Sequence, residues 1–478
     1  MTDFFPALMA ATAGPTGPSG RMPVLAPYDQ APIAEVETVG EAAVDAALAV
    51  AHRLFRDRRG WLPVHRRIAI LERSAAILSA QAEFLAVEAA REGGKPLLDS
   101  RAEVARAIDS VRLCVEALRT DGGEVVPMGL NPASAGRQAF TLPEPVGVVV
   151  AVSAFNHPLN LIAHQVAPAV AAGCPVIVKP AEATPLSCFR FVRILHEAGL
   201  PEPWCQALVT RDVDVATRLV TDPRVGFLSF IGSAKVGWKL RSLLAPGTRC
   251  ALEHGGAAPV IVAADADLDD AVPKLLKGGF YHAGQVCVSV QRVFTHRDRL
   301  DELGDRLAAG AERLRIGDPT REDVDVGPLI RAAEVARVDQ WVQEAVAGGA
   351  RLLSGGEARS ATTYACTVLR EPPAGARVST DEVFGPVVAV YGYDDLDDAV
   401  TRANSLPWAF QAAVFTRDLD TARATAHALD ASAVMINDHT AFRVDWMPFA
   451  GLRESGLGVG GIPHTLRDMQ IRKLVVTA

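Results

Sequence analysis

A thiol and a carboxylate carry the chemistry this chain could do. Cys287 lies in a Gly-Gln-x-Cys turn within FYHAGQVCVSVQR. A free thiol is only slightly ionised near neutrality, but its thiolate is intrinsically nucleophilic. Glu253 stands 34 residues upstream, before Gly255 and Gly256 in LEHGG, where a carboxylate could serve as a general base. The remaining cysteines, Cys114, Cys174, Cys188, Cys205, Cys250 and Cys366, lack such context and read as small buried hydrophobes. No two cysteines form Cys-x-x-Cys and no histidine pair has zinc spacing. Neither a disulfide framework nor a metal site is implied, and the expected setting is a reducing one, the cytoplasm by default.

Other polar residues stand where apolar runs stop. Asn156 follows one run in VSAFNHPLN. Lys179 and Glu182 follow another in IVKPAEATPLS. Gly232, Ser233 and Gly237 lie in FIGSAKVG, Glu382 and Phe384 in EVFGPVV, and a last piece reads MPFAGLRESGLG. In this order, with the interval from Glu253 to Cys287, the pieces resemble the aldehyde dehydrogenase superfamily from about residue 24 to the C-terminus.

The resemblance implies that Cys287 attacks an aldehyde carbon, with the Asn156 side chain and the Cys287 backbone N–H facing the oxyanion. It implies that Glu253 activates water against a thioester, which favours a free acid over thiolysis by CoA. Lys179 and Glu182 would grip the adenosine ribose; a carboxylate there repels a 2′-phosphate, so NAD is expected over NADP. Gly232, Ser233, Gly255 and Phe155 would line the dinucleotide, Ser233 also capping a helix. Glu382 would hold the nicotinamide ribose and Phe384 would pack near the ring. Phe155 replaces a common Trp, and His254, after the base, replaces a common Leu; filling space is the expected role of His254. A non-catalytic scaffold and a CoA-acylating enzyme are the rival readings.

The run NDHTAFRVDWMPFAGLRESGLGVGGIPHTLRDM looks like the branch holding phosphonoacetaldehyde and phosphonoformaldehyde dehydrogenases. Arg106, His157 and Arg443 match that branch's anion-binding positions, and guanidinium suits phosphonate and carboxylate oxygens. Arg106 could instead be a solvated helix residue and Arg443 a loop ion pair. Val286 stands where the phosphonoacetaldehyde enzyme has an arginine. Succinate semialdehyde, lactaldehyde and glyceraldehyde 3-phosphate (without phosphorylation) are therefore alternatives to a phosphonate substrate.

The chain that must position these residues has 478 of them, 49% hydrophobic and 22% charged, with net charge −8. That composition excludes wholesale disorder, and the negative balance argues against nucleic-acid and anionic-membrane partners. Helical periodicity from Val39 to about Leu118 gives way to apolar runs alternating with helices. This predicts an α/β chain of two doubly wound lobes, Rossmann-like and catalytic, with a boundary near Glu253. The expected divisions are a loose tail at 1–22, a cofactor domain at 23–124 and 145–252, and a catalytic domain at 253–440. A β-arm at 125–144 and 466–478 would build a homodimer or homotetramer. Gly456, Gly458 and Gly461 spell a dinucleotide fingerprint, but Ile462-Pro463 follows, where no helix is expected.

Overall fold

The computed structural model describes residues 3–9 and 20–478. Two largely parallel sheets carry the site. In the first, the strand order is Gly456–Leu457, Arg249–Glu253, Val225–Ile231, Val148–Val152, Val176–Lys179 and Cys205–Ala207. Only the Gly456–Leu457 edge is antiparallel. Central Val148–Val152 reads as an unbroken apolar run because both of its faces are covered. Val149 and Ala151 pack into the cluster beneath the Leu97–Thr120 and Asn160–Ala172 helices. Val148 and Val150, one residue out of step, join the cluster with the Glu41–Arg56 helix on the other face.

The chain enters this sheet at Val148–Val152 and winds outward both ways, so strand order reverses beside Val225–Ile231. A crevice opens beyond the carboxyl ends of strands at such a point. Lys179 and Glu253 are the last residues of their strands, Gly232 follows a third, and Asn156 follows Val148–Val152. The crevice thus collects residues that are far apart in sequence.

The second sheet has seven strands, in the order Arg351–Ser354, Thr367–Arg370, Val387–Tyr393, Val290–His296, Ala258–Val262, Gln411–Phe415 and Ala433–Ile436. Its Arg351–Ser354 edge is antiparallel and the rest is parallel. Cys287 precedes Val290–His296, and Glu382 and Phe384 precede the adjacent Val387–Tyr393. The nucleophile candidate therefore lies at the amino edge of one sheet, and Glu253 at the carboxyl edge of the other. A third sheet pairs Gln470–Thr477 along its whole length with Gln138–Pro145, beside Val125–Val126.

Two expectations need correction. The N-terminus is not loose where it is described: Asp3–Phe5 pairs in parallel with Pro32–Thr38, and Leu8 bridges Ala207. Phe5 is buried edge-on to Phe189, with Arg190 and Arg193 over its ring, so an apolar side chain anchors the segment. Residues 10–19 of the expected tail lie outside the described residues. A helix, Ile462–Asp468, does start after Gly461, because proline is compatible with a first helical turn. The glycine run still fails as a fingerprint, since its first glycine opens a two-residue antiparallel edge strand rather than following a parallel one. The Ala332–Ala347 helix, with Val335, Val338 and Val342 on its buried face, is an element not anticipated.

Candidate active site

Cys287 follows a strained turn. His282, Ala283 and Gly284 take positive φ angles of 50°, 54° and 70°, a region costly for side chains with a Cβ. The turn is held down from several directions. A Cβ on Gly284 would meet the Gly385 carbonyl oxygen at 2.1 Å, so the loop before Cys287 rests on the segment after Phe384. Gln285 donates to the carbonyls of His282 (3.3 Å) and Pro328 (3.2 Å) and accepts from the Ile330 N–H (2.9 Å). The buried Asn156 amide donates to the Gln285 carbonyl at 2.9 Å. This ties Asn156 to the backbone two residues before the sulfur. Burial pushes the Cys287 thiol up to about 12; the charges of Glu382 and Glu253 push the same way and Arg443 opposes. At neutral pH the resting group is a thiol.

The Glu253 carboxylate has no hydrogen-bond partner among the described residues. Burial raises its pKa and Arg443 pulls it back. A Cβ on Gly460 would meet its Oε1 at 2.4 Å, so the glycine-rich segment at the C-terminus forms one wall. His254, the next residue, points away. Its ring stands edge-on to Phe230 and Trp238, and its Nδ1 lies 2.9 Å from the Glu454 carbonyl.

The crevice fits a dinucleotide. Ser233 occupies the N-cap of the Ala234–Leu243 helix but makes no side-chain capping bond. This departs from the cap expected of its hydroxyl, and it leaves the leading amides to an anion such as pyrophosphate. Lys179 Nζ stands 3.8 Å from Glu182 Oε1 at the mouth. Phe155 and Phe384 meet edge to face, centroids 5.8 Å apart, Phe384 at a positive φ of 46°. Glu382 lies over Gly255 and Gly256: it accepts from the Gly256 N–H at 3.1 Å, and a Cβ on Gly255 would stand 1.7 Å from its Oε1. Burial raises Glu382 to about 8.

A buried polar cluster flanks Cys287. Arg106 was expected to bind substrate directly, but Asp445 already clamps it, from Nε at 3.1 Å and from Nη2 at 2.7 Å. His164 Nε2 lies 2.7 Å from the same carboxylate, and Asn160 Nδ2 is 3.4 Å away. Although burial alone would raise Asp445, His164 and Arg106 hold it well below the usual carboxylate range. A carboxylate only accepts, so His164 carries its proton on Nε2. Its Nδ1 then faces the Arg443 guanidinium, 3.5 Å from Nη2.

Arg443 itself is far less committed. It lies flat on Phe449, 3.4 Å from the ring centroid. Its Nε is buried without a hydrogen-bond partner, and Asp445 Oδ1 stands 4.0 Å away. Burial lowers it to about 10, with Glu253 opposing. Phe449 packs with Val286, Val288 and Phe410 against Cys287, so Val286 belongs to an apolar wall. His157 completes the cluster: its Nδ1 is 2.6 Å from Lys95 Nζ, which pairs with Glu103 at 2.5 Å. Asp445, His164, Lys95 and Glu103 were not singled out in the sequence. No local pattern marks Asp445 as the partner of Arg106, 339 residues away.

Comparison with known proteins agrees with this geometry. The model of the aldehyde dehydrogenase family matches residues 15–475. The 3-sulfolactaldehyde dehydrogenase of Priestia aryabhattai is 36% identical, over 95% of this chain and 94% of its own length. The structure of aldehyde dehydrogenase 21 from Physcomitrella patens, in complex with the reaction product succinate, superposes with a TM-score of 0.94. It is 34% identical and covers 100% of this chain and 98% of that one. The glyceraldehyde-3-phosphate dehydrogenase of Methanocaldococcus jannaschii, complexed with NADP, superposes with a TM-score of 0.91 at 33% identity. It covers 95% of this chain and 98% of its own.

Proposed function

Since this chain belongs to the aldehyde dehydrogenase family and is an NAD(P)-dependent enzyme of it, we propose that its substrate is a small aldehyde with a singly charged anionic tail. One observation carries this reading: Arg443, a buried guanidinium in the field of Cys287 and Glu253 whose N–H groups are largely uncommitted. A desolvated cation without a close partner is costly unless an anion completes it. His157, beside Tyr281 and His282 of the nucleophile turn, adds a second polar group.

Arg106 has a different part in this reading. Its charge is taken up by Asp445, which in turn orients His164 toward Arg443. With Val286 in the apolar wall, a single free guanidinium remains. It matches a sulfonate or carboxylate better than a dianionic phosphonate, so the phosphonate expectation gives way. A sulfonated aldehyde is the substrate named for the Priestia relative, and succinate is the product held by the Physcomitrella one.

The residues then act in order. Cys287 Sγ adds to the carbonyl carbon, and the oxyanion faces the Asn156 amide and the Cys287 N–H. A bound NAD(P) would supply the hydride acceptor for that carbon, leaving the thioester on Cys287. Glu253 takes a proton from water as it attacks the resulting thioester, releasing the acid. Glu182 would face the adenosine ribose of a bound dinucleotide, where its carboxylate would favour NAD over NADP. The seven cysteines are free thiols, which suits a reducing cytoplasm. Val125, Phe140, Leu142, Leu474 and Val476 expose an apolar arm, which suits a dimer or tetramer.

The test is NADH formation with 3-sulfolactaldehyde, succinate semialdehyde, phosphonoacetaldehyde and propanal at fixed NAD. An anionic aldehyde should exceed propanal in kcat/KM by about 100-fold, roughly 2.7 kcal/mol. Equal values for all four would refute the anionic substrate.

A further inference from the structure

We propose that Lys95 is a positioning residue: with Glu103 it fixes His157 in the tautomer that carries its proton on Nε2, so that the ring offers an N–H to the anionic end of the substrate. The proposal rests on the anionic-aldehyde reading above.

Lys95 follows Gly93 and Gly94 and precedes the Leu97–Thr120 helix; its side chain is fully buried. A buried ammonium demands compensation, and Glu103 supplies it through Oε2 at 2.5 Å. Glu103 is itself immobilised. Its Oε1 accepts from the N–H groups of Leu159 (2.8 Å) and Asn160 (3.0 Å), at the start of the Asn160–Ala172 helix. The ammonium therefore has a fixed place, and its other short contact is His157 Nδ1 at 2.6 Å.

An ammonium has donors and no lone pair, so Nδ1 must accept. A neutral imidazole accepting at Nδ1 carries its hydrogen on Nε2. A second proton on Nδ1 would aim an N–H at an ammonium, and the buried ring also feels the charges of Arg106 and Arg443. His157 is thus held neutral in one tautomer. Nε2 makes no hydrogen bond among the described residues, and it is not sealed in as both ring nitrogens of His282 are. The ring borders Tyr281 and His282 at centroid distances of 6.0 and 6.2 Å, on the approach to Cys287. His164 has the same tautomer but the opposite use: its proton is spent on Asp445 and its lone pair turns to Arg443.

Two substitutions separate the ring nitrogens. The amide of His157→Gln reaches about where Nε2 stands, and that of His157→Asn about where Nδ1 stands. KM for succinate semialdehyde should rise about tenfold in His157→Asn, with kcat much less affected, and should be largely rescued in His157→Gln. Lys95→Met should raise the same KM about tenfold more than it raises that for propanal. NMR of isotope-labelled histidine nitrogens in the wild-type protein, with His157→Gln for assignment, reads the tautomer without any substrate. An unprotonated Nδ1 and protonated Nε2 support the proposal even if Lys95→Met does not fold. A proton on Nδ1, or rescue by Asn rather than Gln, overturns it. A wild-type enzyme that does not prefer succinate semialdehyde to propanal refutes the anionic reading and, with it, the use of the N–H; the NMR result still decides the tautomer.

Discussion

Arg443→Met separates the anionic-substrate reading from a structural role. Methionine is unbranched and its thioether packs well on aromatic rings, so the contact with Phe449 survives while the charge is lost. The guanidinium has no hydrogen-bond partner at Nε, its Nη2 contact to His164 is long at 3.5 Å, and its Asp445 contact is at 4.0 Å. Little protein–protein bonding is lost with it, and removing an under-compensated buried charge should leave the melting temperature level or higher. A charge-assisted hydrogen bond to the substrate is worth about 1.5–3 kcal/mol. The kcat/KM ratio of succinate semialdehyde to propanal should therefore fall about 10- to 150-fold, read by NADH absorbance. A second effect has a fixed sign. Arg443 lowers the raised pKa of Glu253, so its loss raises that pKa further and moves the acid limb of turnover to higher pH. If the ratio and the acid limb both stay where they are in the wild type, Arg443 touches neither substrate nor base, and the reasoning fails.

Cys287→Ala should abolish NADH formation, and any retained turnover would remove the nucleophile assignment. Because the resting thiol is pushed up to about 12, iodoacetamide should alkylate apo Cys287 slowly at neutral pH and faster as pH rises; fast, pH-independent labelling would contradict the buried thiol. Glu253→Gln should give an NADH burst followed by slow turnover, and unimpaired steady-state release of acid would exclude it as the base. Glu182→Gln should raise the NADP to NAD ratio of kcat/KM about tenfold, against no change if Glu182 does not face the ribose. Glu382 is raised to about 8 in the fold, against about 4.3 when unfolded. The native state then binds the extra proton, and stability falls as pH rises between those values. The melting temperature should drop across that window, and less in Glu382→Gln; equal drops would show that Glu382 ionises freely.

The sheets were legible because strands covered on both faces must be largely apolar, as Val148–Val152, Val176–Lys179 and Gln411–Phe415 are. The short N-terminal strand was not, since three residues carry no period; Phe5 is ordered by Phe189 and two arginines that sequence cannot place beside it. Cys287, Glu253 and Asn156 were singled out through the order of motifs that resemble the aldehyde dehydrogenase family, at strand ends and glycine turns that set them apart locally. The anion cluster was legible only in part. Arg106 and Arg443 look alike in sequence, and what separates them is Asp445, which commits one guanidinium and leaves the other. Ion pairing over such separations is a property of the fold and leaves no trace in local spacing.

The protonation states of the site impose an order on its chemistry. Cys287, Glu253 and Glu382 are all raised by burial, and the two carboxylates each disfavour a thiolate on Cys287. Like charges in a dry site do not ionise together. The thiolate therefore forms most readily while Glu253 is protonated, and that same state keeps the base from activating water early. Once the sulfur is acylated its charge is gone. The repulsion on Glu253 goes with it, while the pull of Arg443 remains, so the carboxylate ionises when a thioester is present to be hydrolysed.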